Sequence, residues 1–179
     1  NNKETSPIYS DGAGYYEFLP AFLQYKDPWL INLQVRGLNT WNNGLGASCY
    51  YVEESGRHII LYPIGVALLL SPFYLLAHMF CWLSGEIGDS YSYVFQFFIR
   101  IGAITYFIIG SYYLLKSALI YVNIKFLLVI YALLIFSTNL VHYVVYDSCF
   151  SHAYSYFLVC MLIYFIKNNK LPDCKSLLK

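Results

Sequence analysis

The chain has few charged residues: Asp, Glu, Lys and Arg make up 12% of its 179 residues, whereas soluble domains carry roughly 25%. Apolar side chains account for 59% of the sequence and aromatic side chains for 20%. Apolar surface on this scale would not stay dissolved in water, so the composition predicts an all-α polytopic membrane protein. The twenty tyrosines fit this prediction, because Tyr places its ring in the acyl boundary of a bilayer and its hydroxyl in water.

Two further absences limit what the chain can do. The formal net charge is only +1, which gives no basic surface for nucleic acid. The five cysteines form no CxxC pair and show no metal-ligand spacing, so we interpret them as small hydrophobic residues. The sequence also lacks an initiator Met and a signal peptide, and it opens with the polar stretch "NNKETSP". We therefore expect it to be a fragment of a larger membrane domain.

Four apolar segments follow a polar N-terminal region. Each is close to the roughly 20 residues that an α-helix needs to cross about 30 Å of hydrocarbon. They cover residues 59–83, 92–115, 126–146 and 149–166. We expect the last three to be transmembrane helices of a membrane region over 92–166.

The distribution of basic residues predicts the orientation of these helices. Lys116 and Lys125 lie between the second and third segments without an acid, and residues 167–179 contain four lysines against one acid. Short loops rich in Lys and Arg face the cytoplasm, so both stretches are predicted to be cytoplasmic. The turn near 147–152 and the acidic loop over 84–90 are then external.

The first apolar segment, 59–83, differs because Pro63 and Pro72 interrupt it. A proline inside a helix costs about 3 kcal/mol, so we predict one or two helices at the external membrane surface, with a kinked span as the alternative. Residues 1–91 then form one external region, which contains another interfacial helix over about 13–25 and a flexible loop over 37–58. A further span before residue 1 is needed to deliver this region outside.

Asp11 precedes the helix predicted over 13–25, with Gly12 and Gly14 leaving space around it. Two compatible interpretations follow. An Asp before a helix can act as an N-cap, which is worth about 1 kcal/mol. A carboxylate at the edge of a membrane can also accept a proton from a substrate hydroxyl as a general base.

Arg100 is the second candidate because it lies inside an apolar segment. A guanidinium group in hydrocarbon is costly and calls for a partner, and its planar donors suit a phosphate or a carboxylate. The alternatives are an ion pair with Asp89 and extension of the side chain to the interface. Asp147 and His152, in the external turn, could hold a substrate or a divalent metal. Two ligands at one turn do not support a metal site, so no cofactor is predicted.

Four motifs occur in an order that covers nearly the whole chain: "SDGAGYYEFLPAFL", "LYPIGVALLLSPFYLLAH", "FQFFIRIGAITY" and "VHYVVYDSCFSHAYSYFL". Together they resemble the GT-C superfamily of membrane glycosyltransferases, in particular the branch of lipid A aminoarabinose transferases and protein O-mannosyltransferases. In that branch an external loop opens with an acid and an interfacial helix. A P-x-G segment forms a second juxtamembrane helix, and the next span begins with an Arg-containing motif. The resemblance implies a GT-C-like fold, with external juxtamembrane helices followed by transmembrane helices.

The resemblance also implies roles for individual residues. Asp11 matches the catalytic acid of the first external loop, Arg100 matches the arginine of the second span, and segment 59–83 stays outside. Where aminoarabinose transferases have a Lys before the proline, this chain has Tyr62, so the donor phosphate is expected to contact Arg57, His58 or Arg100. Further substrate contacts are expected at Tyr15, Tyr16, Tyr62, Asp147 and His152.

The function implied by the resemblance is transfer of a sugar from a polyprenyl-phosphate donor to a hydroxyl of a glycan, lipid or protein acceptor. Asp11 would deprotonate the acceptor in an inverting displacement. The expected location is a membrane, the bacterial inner membrane in particular, with residues 1–91 on the periplasmic side in contact with membrane lipids. The competing hypothesis is a non-enzymatic membrane protein, such as a subunit of a lipid or polysaccharide transporter.

Overall fold

The computed structural model describes residues 6–27, 29, 49–85 and 88–168, and over these ranges the protein is mostly helical. Its elements are α1 (Ser10–Tyr16), a π-helical turn (Pro20–Gln24), β1 (Cys49–Val52), β2 (Arg57–Ile60), α2 (Gly65–Ser84), α3 (Tyr93–Ala118), α4 (Ile124–Ser137), α5 (Leu140–Val145) and α6 (Ser151–Asn168). Two of them, α2 and α3, are long and apolar enough to cross a membrane.

Helices α3 and α6 form the central pair, and they run parallel. Tyr106 of α3 packs against Tyr154 of α6 with ring centroids 5.7 Å apart, and Tyr113, further along α3, packs against Tyr164, further along α6, at 4.9 Å. Gly110 lies between these contacts, where an added Cβ would come within 2.9 Å of the α6 backbone. The absence of a side chain at Gly110 therefore allows the two helices to approach closely.

Helix α2 packs antiparallel to α3. The Tyr106 hydroxyl donates to the carbonyl of Leu69 near the start of α2 at 2.7 Å, and the His78 ring, later in α2, lies 4.8 Å from that of Phe95, early in α3. The predicted break at Pro72 is wrong, because α2 continues through it. Pro72 has no N–H for the carbonyl of Leu68, but the Ser71 hydroxyl donates to that carbonyl at 2.8 Å and replaces the missing bond.

A β-hairpin precedes α2, where the sequence predicted a flexible loop that passes into a helix at Ile59. Strands β1 and β2 pair antiparallel, with Tyr50 opposite Ile59 and Val52 opposite Arg57. Gly56 closes the turn with a φ of 64°, in the left-handed region that glycine adopts without strain. The prediction is wrong over residues 49–64, because aromatic and β-branched side chains in both strands favour extended backbone. Residues 37–48 of the predicted loop lie outside the described residues.

The segment 126–146 was predicted as one span, but it is interrupted. Helix α4 ends at Ser137, Thr138 is extended with φ −117° and ψ 162°, and α5 resumes at Leu140. The Thr138 hydroxyl donates to the carbonyl of Leu134 at 2.9 Å. That bond occupies a carbonyl which the backbone would use to continue the helix.

The best-packed region lies where α1 meets α2, α3 and the start of α6. Tyr16 of α1, Tyr74 of α2, Phe95 of α3 and Tyr154 of α6 are all at most 1% exposed. By contrast, many large apolar side chains on the outer faces of the helices are exposed, for example Phe136 at 83%. The core therefore fixes α1 against the middle of α2 and the N-terminal ends of α3 and α6.

Candidate functional site

Asp11 lies in the first turn of α1, which begins at Ser10, so the helix starts before the acid rather than after it. The N-cap residue is Tyr9, and no side chain makes a capping hydrogen bond. The N-cap interpretation of Asp11 is therefore wrong. Ser10 has a positive φ of 48°, a backbone conformation that is uncommon for a residue with a side chain.

The Asp11 carboxylate is oriented by Tyr62, which lies between β2 and α2. The Tyr62 hydroxyl donates to Asp11 Oδ1 at 2.6 Å. The Tyr62 ring is held in turn by Tyr15, one helical turn beyond Asp11, with ring centroids 4.6 Å apart. Since Asp11 remains partly exposed, it combines a fixed orientation with access from outside.

On its other side, α1 contacts the turn that precedes α6. An added Cβ at Gly12 would lie 2.9 Å from Cys149 Cβ and 2.9 Å from the carbonyl oxygen of Pro7. Any larger residue at Gly12 would push α1 away from this turn. Gly12 therefore brings the start of α1 close to the turn that contains Asp147 and Cys149.

Asp147, in that turn, is the second carboxylate of the site. It is buried, its Oδ1 accepts a hydrogen bond from the Tyr9 hydroxyl at 2.8 Å, and its Oδ2 lies 3.1 Å from His142 Nε2. The hydrogen bond to Asp147 raises the pKa of Tyr9 to about 12, and burial and the negative charge of Asp147 contribute to this rise. Tyr9 and Asp147 thus join α1 to the turn by a polar bond beside the Gly12 contact.

Arg100 belongs to the same region. Burial raises the pKa of the Cys149 thiol, the positive charge of Arg100 opposes that rise, and the negative charge of Asp147 adds to it. Arg100 directly follows Ile99 of α3, which is buried in the same core as Ala13 of α1 and Cys149. Around the start of α1 the structure brings together Asp11, Tyr15, Tyr62 and Asp147, and Arg100 lies on the part of α3 that shares a core with α1.

The four other predicted site residues have their described contacts with groups other than Asp11 and Tyr62. Tyr16 is buried, and its hydroxyl donates to the carbonyl of Ser90 at 2.5 Å. The remaining three make aromatic contacts: His152 stacks on Tyr143 at 3.8 Å, Arg57 lies 4.6 Å from the Trp29 ring, and the buried His58 ring lies 5.0 Å from Tyr51.

The sequence analysis did not identify a buried polar cluster beneath the site. Glu17 is fully buried and accepts a hydrogen bond from the Tyr91 hydroxyl, while Ser90 bonds both Tyr74 and Gln24. Burial raises the pKa of the neighbouring Tyr16 well above its usual value. The available signal was an acid inside an otherwise apolar helix, because a buried carboxylate needs donors from other elements.

Within the described residues, no group of three or more His, Cys, Asp or Glu side chains is arranged to hold a metal ion. Comparison with protein-family models, with curated proteins and with solved structures gives no significant match.

Proposed function

We propose that the protein is a membrane glycosyltransferase of the GT-C kind, which transfers a sugar from a polyprenyl-phosphate donor to an acceptor hydroxyl at the external membrane surface. The observation that carries this proposal is the pair formed by Asp11 and Tyr62. A partly exposed carboxylate, oriented by a 2.6 Å hydrogen bond to one of its oxygens, keeps lone pairs available for a substrate hydroxyl. Such an arrangement suits a general base.

In the proposed reaction the acceptor oxygen attacks the anomeric carbon, and its proton passes to the Asp11 carboxylate. The bond between the anomeric carbon and the phosphate oxygen breaks, and the polyprenyl phosphate leaves with the bonding electron pair. The sugar inverts its configuration because attack and departure occur on opposite faces. A positioned base contributes typically 10²- to 10⁴-fold to such a step.

Arg100 is the proposed contact for the donor phosphate. It directly follows Ile99, which is buried in the same core as Ala13 of the helix that carries Asp11. A guanidinium group stabilises the negative charge that develops on a leaving phosphate, and it does so most strongly where water is partly excluded. Arg57 and His58 are less suitable, since Arg57 lies over the Trp29 ring and the His58 ring packs against Tyr51.

The proposed membrane arrangement places α1, the hairpin and the start of α3 on one side. Asp11 of α1 is bonded to Tyr62 before α2, and Tyr16 of the same seven-residue helix is bonded to Ser90 after α2. Ser90 also bonds Tyr74, about halfway along α2. These contacts tie the segments before and after α2 to the same short helix, which favours both ends of α2 lying on one side of the membrane. The length and apolarity of α2 also suit a transmembrane helix.

The parallel α3 and α6 support the remainder of this arrangement. Their N-terminal ends meet α1, and their C-terminal ends carry Lys116 and Lys167. From Arg100 to Lys116 the helix rises by roughly 24 Å, which is close to the thickness of a hydrocarbon core. Arg100 would then lie near the external interface and Lys116 near the cytoplasmic one.

A transfer assay on the full-length protein tests the function. The purified protein is incubated with a panel of polyprenyl-phosphate sugars and a mixture of glycan, lipid and peptide acceptors, and released polyprenyl phosphate is measured. The proposal predicts release that depends on both donor and acceptor. No release from any donor, together with transport of a lipid-linked sugar across a vesicle membrane, would favour a transporter subunit instead.

A further inference from the structure

The C-terminal ends of α3 and α6 carry two lysines that reach across to each other's helix. Lys116 of α3 places Nζ 5.1 Å from the ring centroid of Tyr164 in α6. Lys167 of α6 donates in return to the carbonyl of Ser117 in α3. These reciprocal contacts put the two ammonium groups, called here the lysine pair, on adjoining turns at the end opposite to Asp11.

The partners described for the lysine pair are neutral. Lys116 also bonds the Tyr112 hydroxyl at 3.2 Å, and Lys167 lies 4.7 Å from the ring centroid of Tyr121. The sequence has no Asp or Glu over 90–146 or over 148–172. Helices α3, α4 and α6 therefore supply no carboxylate that could neutralise the two positive charges.

Exposed side chains continue from each lysine toward the middle of its helix. On α3, Tyr112, Ile108 and Ile104 lie 4, 8 and 12 residues before Lys116 and are 56%, 59% and 40% exposed. On α6, Ile163 and Val159 lie 4 and 8 residues before Lys167 and are 44% and 54% exposed. Residues four apart in sequence form one ridge on the surface of a helix. Each lysine therefore lies at the end of an exposed ridge, and the ridge residues furthest from the lysine are aliphatic.

We propose that the lysine pair and these two ridges bind an anionic phospholipid. The phosphodiester accepts hydrogen bonds from the two ammonium groups, and the acyl chains lie along the ridges over Ile108 and Ile163. Tyrosines beside the lysines suit the headgroup level, where an amphipathic ring is favoured. A soluble phosphate would also complement the positive charge of the lysine pair, but it has no acyl chain to cover the two exposed ridges. The proposal rests on the proposed membrane location and is independent of the transferase reaction.

The test measures lipid binding directly. Full-length protein in a neutral detergent is titrated with dioleoyl phosphatidylglycerol, dioleoyl phosphatidylcholine or glycerol phosphate, and bound molecules are counted by native mass spectrometry. Phosphatidylglycerol should bind most tightly. Each lysine near an anionic headgroup is worth roughly fivefold in affinity, so Lys116→Gln with Lys167→Gln should weaken its binding by roughly 30-fold.

Two controls separate charge from fold. Lys26→Gln removes the same charge from an exposed position beyond the π-helical turn, and it should leave phosphatidylglycerol binding unchanged. Lys116→Arg with Lys167→Arg keeps both charges and should retain the wild-type affinity. Wild-type affinity in the folded double Gln variant would overturn the proposal, and equally tight binding of glycerol phosphate would overturn the choice of a lipid.

Discussion

Tyr62 Oη and Asp11 Oδ1 lie 2.6 Å apart, although 51 positions separate the two residues in the sequence. The bond joins the segment before α2 to the first turn of α1 and fixes the orientation of the proposed base. In the sequence analysis Tyr62 was a departure from the lysine of aminoarabinose transferases and an expected substrate contact. In this protein the Tyr62 hydroxyl can orient the Asp11 carboxylate by a hydrogen bond from a neutral group. A lysine at the same position would form an ion pair with that carboxylate.

Tyr62→Phe tests this relationship, because it removes the hydroxyl and keeps the ring against Tyr15. A hydrogen bond to a charged group contributes about 1.5–3 kcal/mol, so a variant that loses the orientation of Asp11 should lose about tenfold or more in kcat. KM for the donor should stay near its wild-type value, since Tyr62 is proposed to act through Asp11. Steady-state transfer kinetics measure both quantities, and Tyr50→Phe, at an exposed hairpin position, is the matched control.

Arg100→Ala should weaken donor binding by roughly tenfold to hundredfold, on the scale of hydrogen bonds to charged groups. Arg100→Lys should restore part of the affinity, because a point charge lacks the planar pair of donors that binds phosphate. Binding of the polyprenyl-phosphate sugar to detergent-solubilised protein is the measurement. Unchanged donor affinity in Arg100→Ala, combined with a lowered Tm, would identify Arg100 as a structural partner of the turn near Cys149.

Composition and apolar runs predicted much of the helical architecture. The mostly helical character was predicted from the sequence, and the helix predicted over 92–115 corresponds to α3. The hydrophobic pattern alone did not predict where helices continue or end, because a local side-chain hydrogen bond determines the backbone conformation at those positions. Ser71 allows α2 to pass through Pro72, whereas Thr138 takes a carbonyl from α4 and contributes to its end.

The candidate site was predictable in part, and most directly in its most unusual members. An acid beside glycines and a cation in an apolar run are visible in the sequence, so Asp11 and Arg100 could be selected. Tyr9 and Tyr62 could not be selected as hydrogen-bond donors, because twenty tyrosines are present and their partners are distant in sequence. Glu17 was visible as a polar exception, but its burial depends on donors from the loop before α3.

Cysteine accessibility tests the proposed membrane arrangement. In a cysteine-depleted background, Ser6→Cys and Asp89→Cys flank α2, and both should react with a membrane-impermeant thiol reagent added from the external side. Lys125→Cys should react only after the membrane is permeabilised. If α2 crossed the bilayer, Ser6→Cys and Asp89→Cys would label from opposite sides, and labelling of Ser6→Cys from the cytoplasm would contradict the arrangement.

The bond between Tyr9 and Asp147 predicts a specific alkaline sensitivity. The pKa of Tyr9 is about 12 in the folded protein and about 10 when unfolded, so the phenol favours folding while it is protonated. This contribution is fully present below pH about 10 and is lost as pH rises to about 12, because the unfolded chain releases the proton first. Apparent Tm should therefore fall less over this range in Tyr9→Phe than in the wild type. Tyr93→Phe, at a 76% exposed position, should fall as the wild type does.

Asp11→Asn tests the proposed base without removing the side chain. The amide oxygen can still accept the bond from Tyr62, and no capping bond is lost because Asp11 makes none as N-cap. We expect a folded protein that retains donor binding. Its transfer rate should be lower by roughly two to four orders of magnitude, the usual contribution of a general base.

A matched variant makes the result of Asp11→Asn specific. Glu53→Gln removes one negative charge from an exposed position in the hairpin turn and should leave transfer close to wild type. A loss of transfer in Asp11→Asn alone, with normal Tm and normal donor affinity, places the defect in proton transfer rather than in folding or in net charge. Wild-type turnover by folded, full-length Asp11→Asn on a verified sugar donor would rule out Asp11 as the base. The next carboxylate to test would then be Asp147, which lies beside His142 and close to the same helix.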